Sequence, residues 1–438
     1  MALVVTSRSR RLPFFYGWIV VAVAFVTMAI GVNARTAFSL LFPEILTEFG
    51  WERGLTAGAF AFGFVVSMVF TPLLGKMMDA LGARFVMPLG VALLCAGLGL
   101  GTLIRQPWHL YMTLGLLVAG GSVIVGYTGH SLFLTNWFVQ RRGAALGVAF
   151  SGVGIGSIVI LPWLQGIIVS AGWRTACWAL VALLLVVCVP LNIALQRTRP
   201  EDIGLAPDGD EAAARQAATG AHAANVVDRE WASVDWTLPR AMRTARFWWV
   251  ALGFFSSLFV WYAIQVHQTK YLIDIGYDST VAAFALGLIG LLGVASQIGL
   301  GVLSDRIGRE WIWSLSSLGF IAACVLLLVM PYRPTPTLLY AMVASQGLVG
   351  YGMAATYAAI PAELFQGRHY GAVFSVLSVA SGLGSGLGPW MAGAVYDRTG
   401  SYTPAFYLLI ALTAVSMVAI WLAAPRKVRV VAGRVRRP

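Results

Sequence analysis

Long apolar runs alternate with short polar breaks along almost the whole chain. Twelve runs stand out, at 16–42, 54–76, 85–104, 108–135, 142–169, 173–195, 247–271, 280–303, 311–331, 337–361, 370–394 and 403–424. A helix needs about 20 apolar residues to cross the hydrocarbon core of a bilayer. Each run therefore predicts one crossing, and the fold class expected is an all-α integral membrane protein with 12 transmembrane helices. An even number of spans returns the chain to its starting side. Lys and Arg gather on that side, at Arg8, Arg10, Arg11, Lys76, Arg84, Arg141, Arg142, Arg306, Arg309 and Arg368, in the polar stretch before residue 247, and from Arg426 to Arg437. The opposite loops hold few bases: Arg53, Arg105, Arg174, Arg333 and Arg398, with Lys270 at a helix end. Bases mark the cytoplasmic face. Both termini are expected there, beneath a bacterial inner (plasma) membrane.

One polar stretch is long. Residues 196–246 are rich in Ala and carry Glu201, Asp202, Asp208, Asp210 and Glu211, with no apolar period. They read as a cytoplasmic linker between halves 1–195 and 247–424, with a basic cytoplasmic tail at 425–438. Part of the linker is expected to be disordered and part helical on the membrane surface, with Trp231 and Trp236 at the interface.

Composition agrees with a membrane chain and narrows the classes left open. Of 438 residues, 59% are hydrophobic and 11% charged, against about 25% charged in soluble domains. The net charge of +12 does not point to nucleic acid, because the bases fall in loops where topology requires them. Cys95, Cys177, Cys188 and Cys324 sit inside apolar runs, with neither metal spacing nor a place in an outer loop. The first apolar run is too long for a signal peptide and no small-residue cleavage site follows closely. Gly120-Gly121 lacks the strand-then-helix setting of a phosphate loop, and no Walker lysine motif occurs. No cofactor, metal or enzymatic centre is expected.

The two halves echo one another. Gly75, Asp79 and Gly82 recur 226 positions later as Gly301, Asp305 and Gly308, in the stretches Gly75-Lys76-Met77-Met78-Asp79-Ala80-Leu81-Gly82-Ala83-Arg84 and Gly301-Val302-Leu303-Ser304-Asp305-Arg306-Ile307-Gly308-Arg309-Glu310. Pro162 and Gly166 return as Pro389 and Gly393, 227 positions on. This pattern resembles the loop motif of the major facilitator superfamily, G-x-x-x-D-R/K-x-G-R/K-R/K, which follows that family's second and eighth spans. The second copy departs from it at Glu310. The first departs at Ala80, where a base is usual, and at Ala83 before Arg84. The resemblance covers nearly the whole chain and implies two pseudo-symmetric six-helix halves working by alternating access. Gly75, Asp79, Gly82, Arg84, Gly301, Asp305, Arg306, Gly308 and Arg309 are the expected gating residues. Glycine lets helix ends approach closely, and the Asp and Arg can pair or cap neighbouring helix ends; a plain charged turn is the alternative. Gly143, Gly147, Gly152, Gly154 and Gly156 before Pro162, and Gly371, Gly382, Gly384, Gly386 and Gly388 before Pro389, mark the fifth and eleventh spans as close-packed, bending elements, or both.

Polar side chains inside spans usually mark a pathway. Arg35 stands out in the first span, within Gly31-Val32-Asn33-Ala34-Arg35-Thr36, with no acid three or four residues away. A buried guanidinium is favourable with an anionic substrate in a hydrated cavity, and its fork matches a carboxylate; snorkelling toward Glu44 or Glu48 is the alternative. His267 and Lys270 share a face of the seventh span, at the place that the first span takes in the other half. These bases are expected to flank one cavity. His267 can carry a proton, and Lys270 either meets an anion or pairs with Asp274. Tyr127 and His130 share a face of the fourth span. Arg35, Asn33, Tyr127, His130, His267 and Lys270 are the candidate substrate contacts.

Tyr16-Gly17-Trp18, Phe49-Gly50-Trp51, Trp137 through Gly143, Gly172-Trp173-Arg174, Val266-His267 and Tyr271 through Gly276 are similar to the monocarboxylate and oxalate–formate branch of the superfamily. That branch often carries a cation late in its first span, which Arg35 matches, and an arginine in its eighth, which Ala282–Leu303 lacks. The resemblance implies a secondary transporter of small organic anions, expected as a monomer in the lipid bilayer, with protons or a counter-anion as the coupled species. A multidrug exporter, which usually places an acid in its cavity, and a non-transporting membrane sensor are the rival readings.

Overall fold

The computed structural model describes residues 14–138, 142–206, 227–365 and 370–428. Among them the regular structure is helical, with no strand, and 12 helices are long and apolar enough to cross a membrane. In chain order they are Gly17–Phe49, Arg53–Thr71, Ala83–Gly101, Pro107–Leu134, Ala145–Ala171, Trp173–Leu195, Ala245–Asp274, Ser279–Ile307, Arg309–Tyr332, Pro336–Leu364, Ala372–Thr399 and Thr403–Lys427. Every predicted run has its helix. The first runs on to Phe49, past the predicted end at residue 42, because Pro43 bends the chain without ending the helix. Its ring denies the Ser39 carbonyl a partner, and the helix is already interrupted at Ala37. The spans are apolar outside as well as inside. Val69, Phe85 and Val186 are 70%, 66% and 73% exposed, as side chains facing hydrocarbon should be.

By packing, the chain forms two compact units. One is Met1–Phe38 with Val66–Gly220; the other is Ser39–Val65 with Ala221–Pro438. Each is built on the same seam. In the first unit, a Cβ on Gly152 or Gly156 would overlap the carbonyls of Phe25 or Ala29, so the fifth span lies backbone-to-backbone on the first. In the second, Gly384 and Gly388 stand in the same way against the carbonyls of Phe255 and Phe259. Lipid offers no hydrophobic drive for helix association, so contact this close is where dispersion accumulates. Around these seams the cores are aromatic: Phe133, Trp137 and Phe138 in the first unit, Phe254, Trp313, Phe320 and Phe365 in the second.

The described ends of the linker are fastened, each within its own unit. Leu195 accepts a hydrogen bond from the Tyr16 hydroxyl at 2.9 Å, and Arg197 accepts from the Trp137 indole at 3.1 Å. At the other end, the Trp231 indole donates to the Leu364 carbonyl at 2.7 Å, while Trp231 and Trp236 pack with Phe365. Val227 and Asp228 donate their amides to the Val428 carbonyl at 2.9 and 3.3 Å. Trp231 and Trp236 thus pack against protein, and both indole N–H groups are satisfied there, that of Trp236 by the Trp231 carbonyl at 3.2 Å. Residues 207–226 of the linker lie outside the described residues, as do Arg141 and the tail from residue 429.

Candidate functional site

Arg35 lies near the middle of the 33-residue Gly17–Phe49 helix, half-buried, two residues before the interruption at Ala37. The fourth span is interrupted as well. It winds as a π-helix over Tyr111–Val118, and Gly126 is extended (φ −93°, ψ −160°) before the helix restarts at Tyr127. A Cβ on Gly31 would overlap Val125, and one on Gly126 would lie 3.9 Å from Val32. The break in the fourth span therefore rests on the first helix one turn before Arg35. Discontinuous helices at membrane depth commonly build binding sites, because the break frees backbone groups for a ligand.

His130 sits just past the break and is fully buried. Its Nδ1 is 3.0 Å from the Gly126 carbonyl. A carbonyl only accepts, so Nδ1 carries the proton and Nε2 is left as an acceptor. That Nε2 meets no hydrogen-bond partner among the described residues. The Tyr127 ring is 43% exposed and stands edge-on to Phe150 at 4.9 Å. Asn33 is committed elsewhere: its amide donates to the carbonyls of Ala29 and Val153, at 2.8 and 2.9 Å, and ties the first span to the fifth. Arg35 thus lies one turn beyond the contact of the first and fourth spans, on the helix that Asn33 ties to the fifth, and Tyr127 and His130 begin the segment of the fourth span that follows its break.

The second unit holds one group of polar side chains at the span ends away from the termini. His267 is buried, with Nδ1 2.8 Å from the Tyr402 hydroxyl and Nε2 2.8 Å from the Pro389 carbonyl. Lys270 pairs with Asp274 at 2.6 Å, the helical alternative its spacing allowed. The residue that sequence reasoning missed is Arg53. Counted there as a loop base, it opens the second span, with its guanidinium 2.8 Å from Asp274, 3.1 Å from the Tyr402 oxygen and 3.6 Å from the centre of the Tyr396 ring. The amides of Arg53 and Gly54 donate to the Asp397 carboxylate at 2.9 and 2.7 Å, which caps this helix N-terminus from another helix. Burial holds the Tyr402 phenol above its ordinary range, against the opposing pull of Arg53, so it keeps its proton.

With these sites described, the chain can be compared with known proteins. The family model described as Major Facilitator Superfamily matches residues 18–358 and 294–437. The chain belongs to the major facilitator superfamily. Monocarboxylate transporter 13 of Rattus norvegicus is 26% identical to it over 395 residues, covering 89% of this chain and 85% of the relative. Monocarboxylate transporter 12 of Homo sapiens is 25% identical over 426 residues, covering 93% and 80%. Among solved structures, a bacterial homologue of the human lysosomal transporter Spinster, in an inward-facing and occupied conformation, superposes with a TM-score of 0.69 at 15% identity, over 93% of this chain and 97% of that one. The nucleoside transporter NupG superposes with a TM-score of 0.69 at 12% identity, over 93% and 100%. The superfamily protein is therefore a multi-pass membrane transporter rather than an enzyme.

The superfamily's twin turns share a backbone and differ in charge. Gly82 (φ +74°) and Gly308 (φ +117°) take conformations that a side chain would strain. Gly75 faces open space, a Cβ on Gly301 would lie 3.3 Å from the Ala355 Cβ, and Arg84 and Arg306 are exposed; the Asp79 side chain lies outside the described ones. In the second turn Arg309 pairs with Asp305 at 2.6 Å and Glu363 at 2.8 Å, and also donates to Ser304. Glu310, the departure from the family pattern, is buried and accepts the Arg426 amide at 2.9 Å and its guanidinium at 3.2 Å. Among the described side chains of the first turn the bonds are neutral: the Ala83 amide donates to Thr198 Oγ1 at 2.7 Å, and Asn136 donates to the Thr198 carbonyl. The Asp305 side chain is 57% exposed, so its ion pair contributes about 1 kcal/mol or less to stability. Asp305→Asn is therefore expected to leave thermal stability nearly unchanged and to slow turnover several-fold at constant KM, as read from initial uptake rates; unchanged turnover would remove Asp305 from the gate.

Proposed function

We propose that the protein is a secondary active transporter that moves a small organic anion, most closely a monocarboxylate, by alternating access. The observation that carries this reading is Arg35, a guanidinium at mid-span beside the Gly126 break. A charge at that depth marks a substrate path, and the planar fork suits a carboxylate better than a point charge would. The Nε2 of His130, on the fourth-span segment that follows this break, offers an acceptor suited to a hydroxyl or a protonated group on the substrate. The names of the relatives support the same substrate class. His267 and Lys270, also expected as substrate contacts, are held by protein partners here, so a direct role for either requires those bonds to exchange. Coupling runs through a proton or through anion exchange. In this reading the protein is a monomer in a bacterial inner membrane, with both termini cytoplasmic and the cluster around Arg53 facing outward.

The test is thermal stabilisation of the purified protein by a panel of small carboxylates, nitrate and cationic drugs. A ligand that binds only the folded state stabilises by about 2.7 kcal/mol at a hundred times its Kd, a rise of several degrees. Stabilisation by one carboxylate and not by the cations is the expected result. Stabilisation by cations alone would replace the organic-anion reading with an exporter.

A further inference from the structure

We propose that His267 is a proton-sensing residue that sets the closure of the outward span ends, acting through Tyr402 on Arg53. The inference deepens the transport reading above and rests on it for which side is outward. Donors and acceptors fix the row of bonds. The Pro389 carbonyl only accepts, so Nε2 of His267 donates to it at 2.8 Å. Nδ1 is then a lone pair and accepts the Tyr402 hydroxyl proton at 2.8 Å. The Tyr402 oxygen in turn accepts from Arg53 at 3.1 Å. Arg53 ends on Asp274, which Lys270 shares, and the backbone it opens is held by Asp397. The Gly54 and Gly393 backbones touch at the same place, so close that neither position accepts a Cβ without a shift. The closed arrangement therefore depends on a neutral His267 of one tautomer.

A second proton on the imidazole lands on Nδ1 and turns that acceptor into a donor. Tyr402 then faces two donors, Nδ1–H and Arg53, and its own proton loses its acceptor. The imidazolium and the Arg53 guanidinium become two cations on one phenol. The groups around the ring do not neutralise it. The first span supplies the Phe42 ring at 5.2 Å and, further out, Glu44; the second supplies Arg53; the eleventh supplies Tyr396 and Asp397; the twelfth supplies Tyr402. On its own helix lie Lys270, Tyr271 and Asp274. Asp274 is occupied by Arg53 and Lys270, and Asp397 by two backbone amides. Protonation is accommodated by opening the row, so that Tyr402 releases Arg53 and the start of the second span loosens from Asp274. Closure is favoured at high pH and is lost as pH falls through the titration of His267.

Ser39 reports on this packing. It is 2% exposed, and its hydroxyl donates to the Gln265 carbonyl, two residues before His267. A Ser39→Cys protein is labelled from outside with a membrane-impermeant maleimide at about pH 8 and about pH 4, which lie on either side of the range a histidine covers, buried or exposed. Rates are normalised to the denatured protein, and the parent without Ser39→Cys serves as the blank. The expected result is labelling at least about fivefold faster at the lower pH. Adding His267→Gln makes labelling slow and independent of pH. Adding Tyr402→Phe, or Arg53→Lys should Tyr402→Phe fail to fold, makes it fast at both. Retention of the pH response in His267→Gln, or slow labelling at both pH values in the Tyr402 or Arg53 variant, overturns the proposal. The readout needs no substrate. A failed carboxylate reading leaves the labelling pattern intact and appears only as absent ligand stabilisation.

Discussion

Arg35→Ala is expected to reduce carboxylate uptake to background while the protein still folds and inserts. Removing a cation from mid-span relieves a cost of insertion of about 2.5–3.5 kcal/mol on translocon scales, which offsets the loss of the side chain's own contacts. Transport loses its charged hydrogen bonds to the substrate, which are worth about 1.5–3 kcal/mol, or about 10- to 150-fold in affinity. The carboxylate would also be left desolvated and unpaired, a further penalty of a few kcal/mol. Arg35→Lys separates charge from geometry. It keeps the cation and loses the fork, so uptake should persist with KM raised about tenfold. Initial rates in proteoliposomes, set beside thermal unfolding of each variant, check both. Undiminished uptake by Arg35→Ala would remove this residue from the substrate path.

Gly388→Val is expected to deplete folded protein from the membrane, and Gly156→Val to do the same in the other unit. At both positions the atom in the way is a main-chain carbonyl, of Phe259 or Ala29. A side chain can rotate out of a clash and a helix backbone cannot, so the two spans must separate along the seam. Overpacking of this kind costs about 1–3 kcal/mol even where side chains can give way. Gly147 is the control. It lies in the same glycine-rich span with nothing within 4 Å of a built Cβ, so Gly147→Ala should be neutral or slightly stabilising, as Ala is preferred to Gly inside a helix by about 0.5–1 kcal/mol. Membrane yield and elution profile in detergent distinguish the three. Normal yield of Gly388→Val would mean that the seam is looser than it stands here.

The spans were legible in the sequence because hydrocarbon imposes one length and one composition on every crossing, and the twin turns because glycine at a fixed spacing survives as a pattern. Arg35 was legible for a related reason: a charge inside an apolar run has no ordinary explanation. Arg53 was not. A base between two spans reads as a loop residue, and its partners Asp274 and Tyr402 lie in the seventh and twelfth helices. Glu310 read as a flaw in a motif, since nothing local reveals that it receives Arg426 from 116 residues away. The break at Gly126 was hidden for the opposite reason: one more glycine in a glycine-rich chain says nothing about which will be extended. Hydropathy reports what a residue must avoid; it does not report which distant residue it will meet.

The seams and the turns also record an order of events. Gly156 against Ala29 and Gly388 against Phe259 repeat one contact in both units, 232 and 230 positions apart. A feature present in both copies is most simply inherited from the single ancestral copy, so backbone-on-backbone packing is older than the present chain. Among the described residues, the Arg309–Glu363 pair and the Glu310–Arg426 clasp of the second copy are answered in the first by neutral bonds, from the Ala83 amide and Asn136 to Thr198. The glycines are the inheritance of a half-length ancestor, and the fastening of the turns is where its two descendants differ.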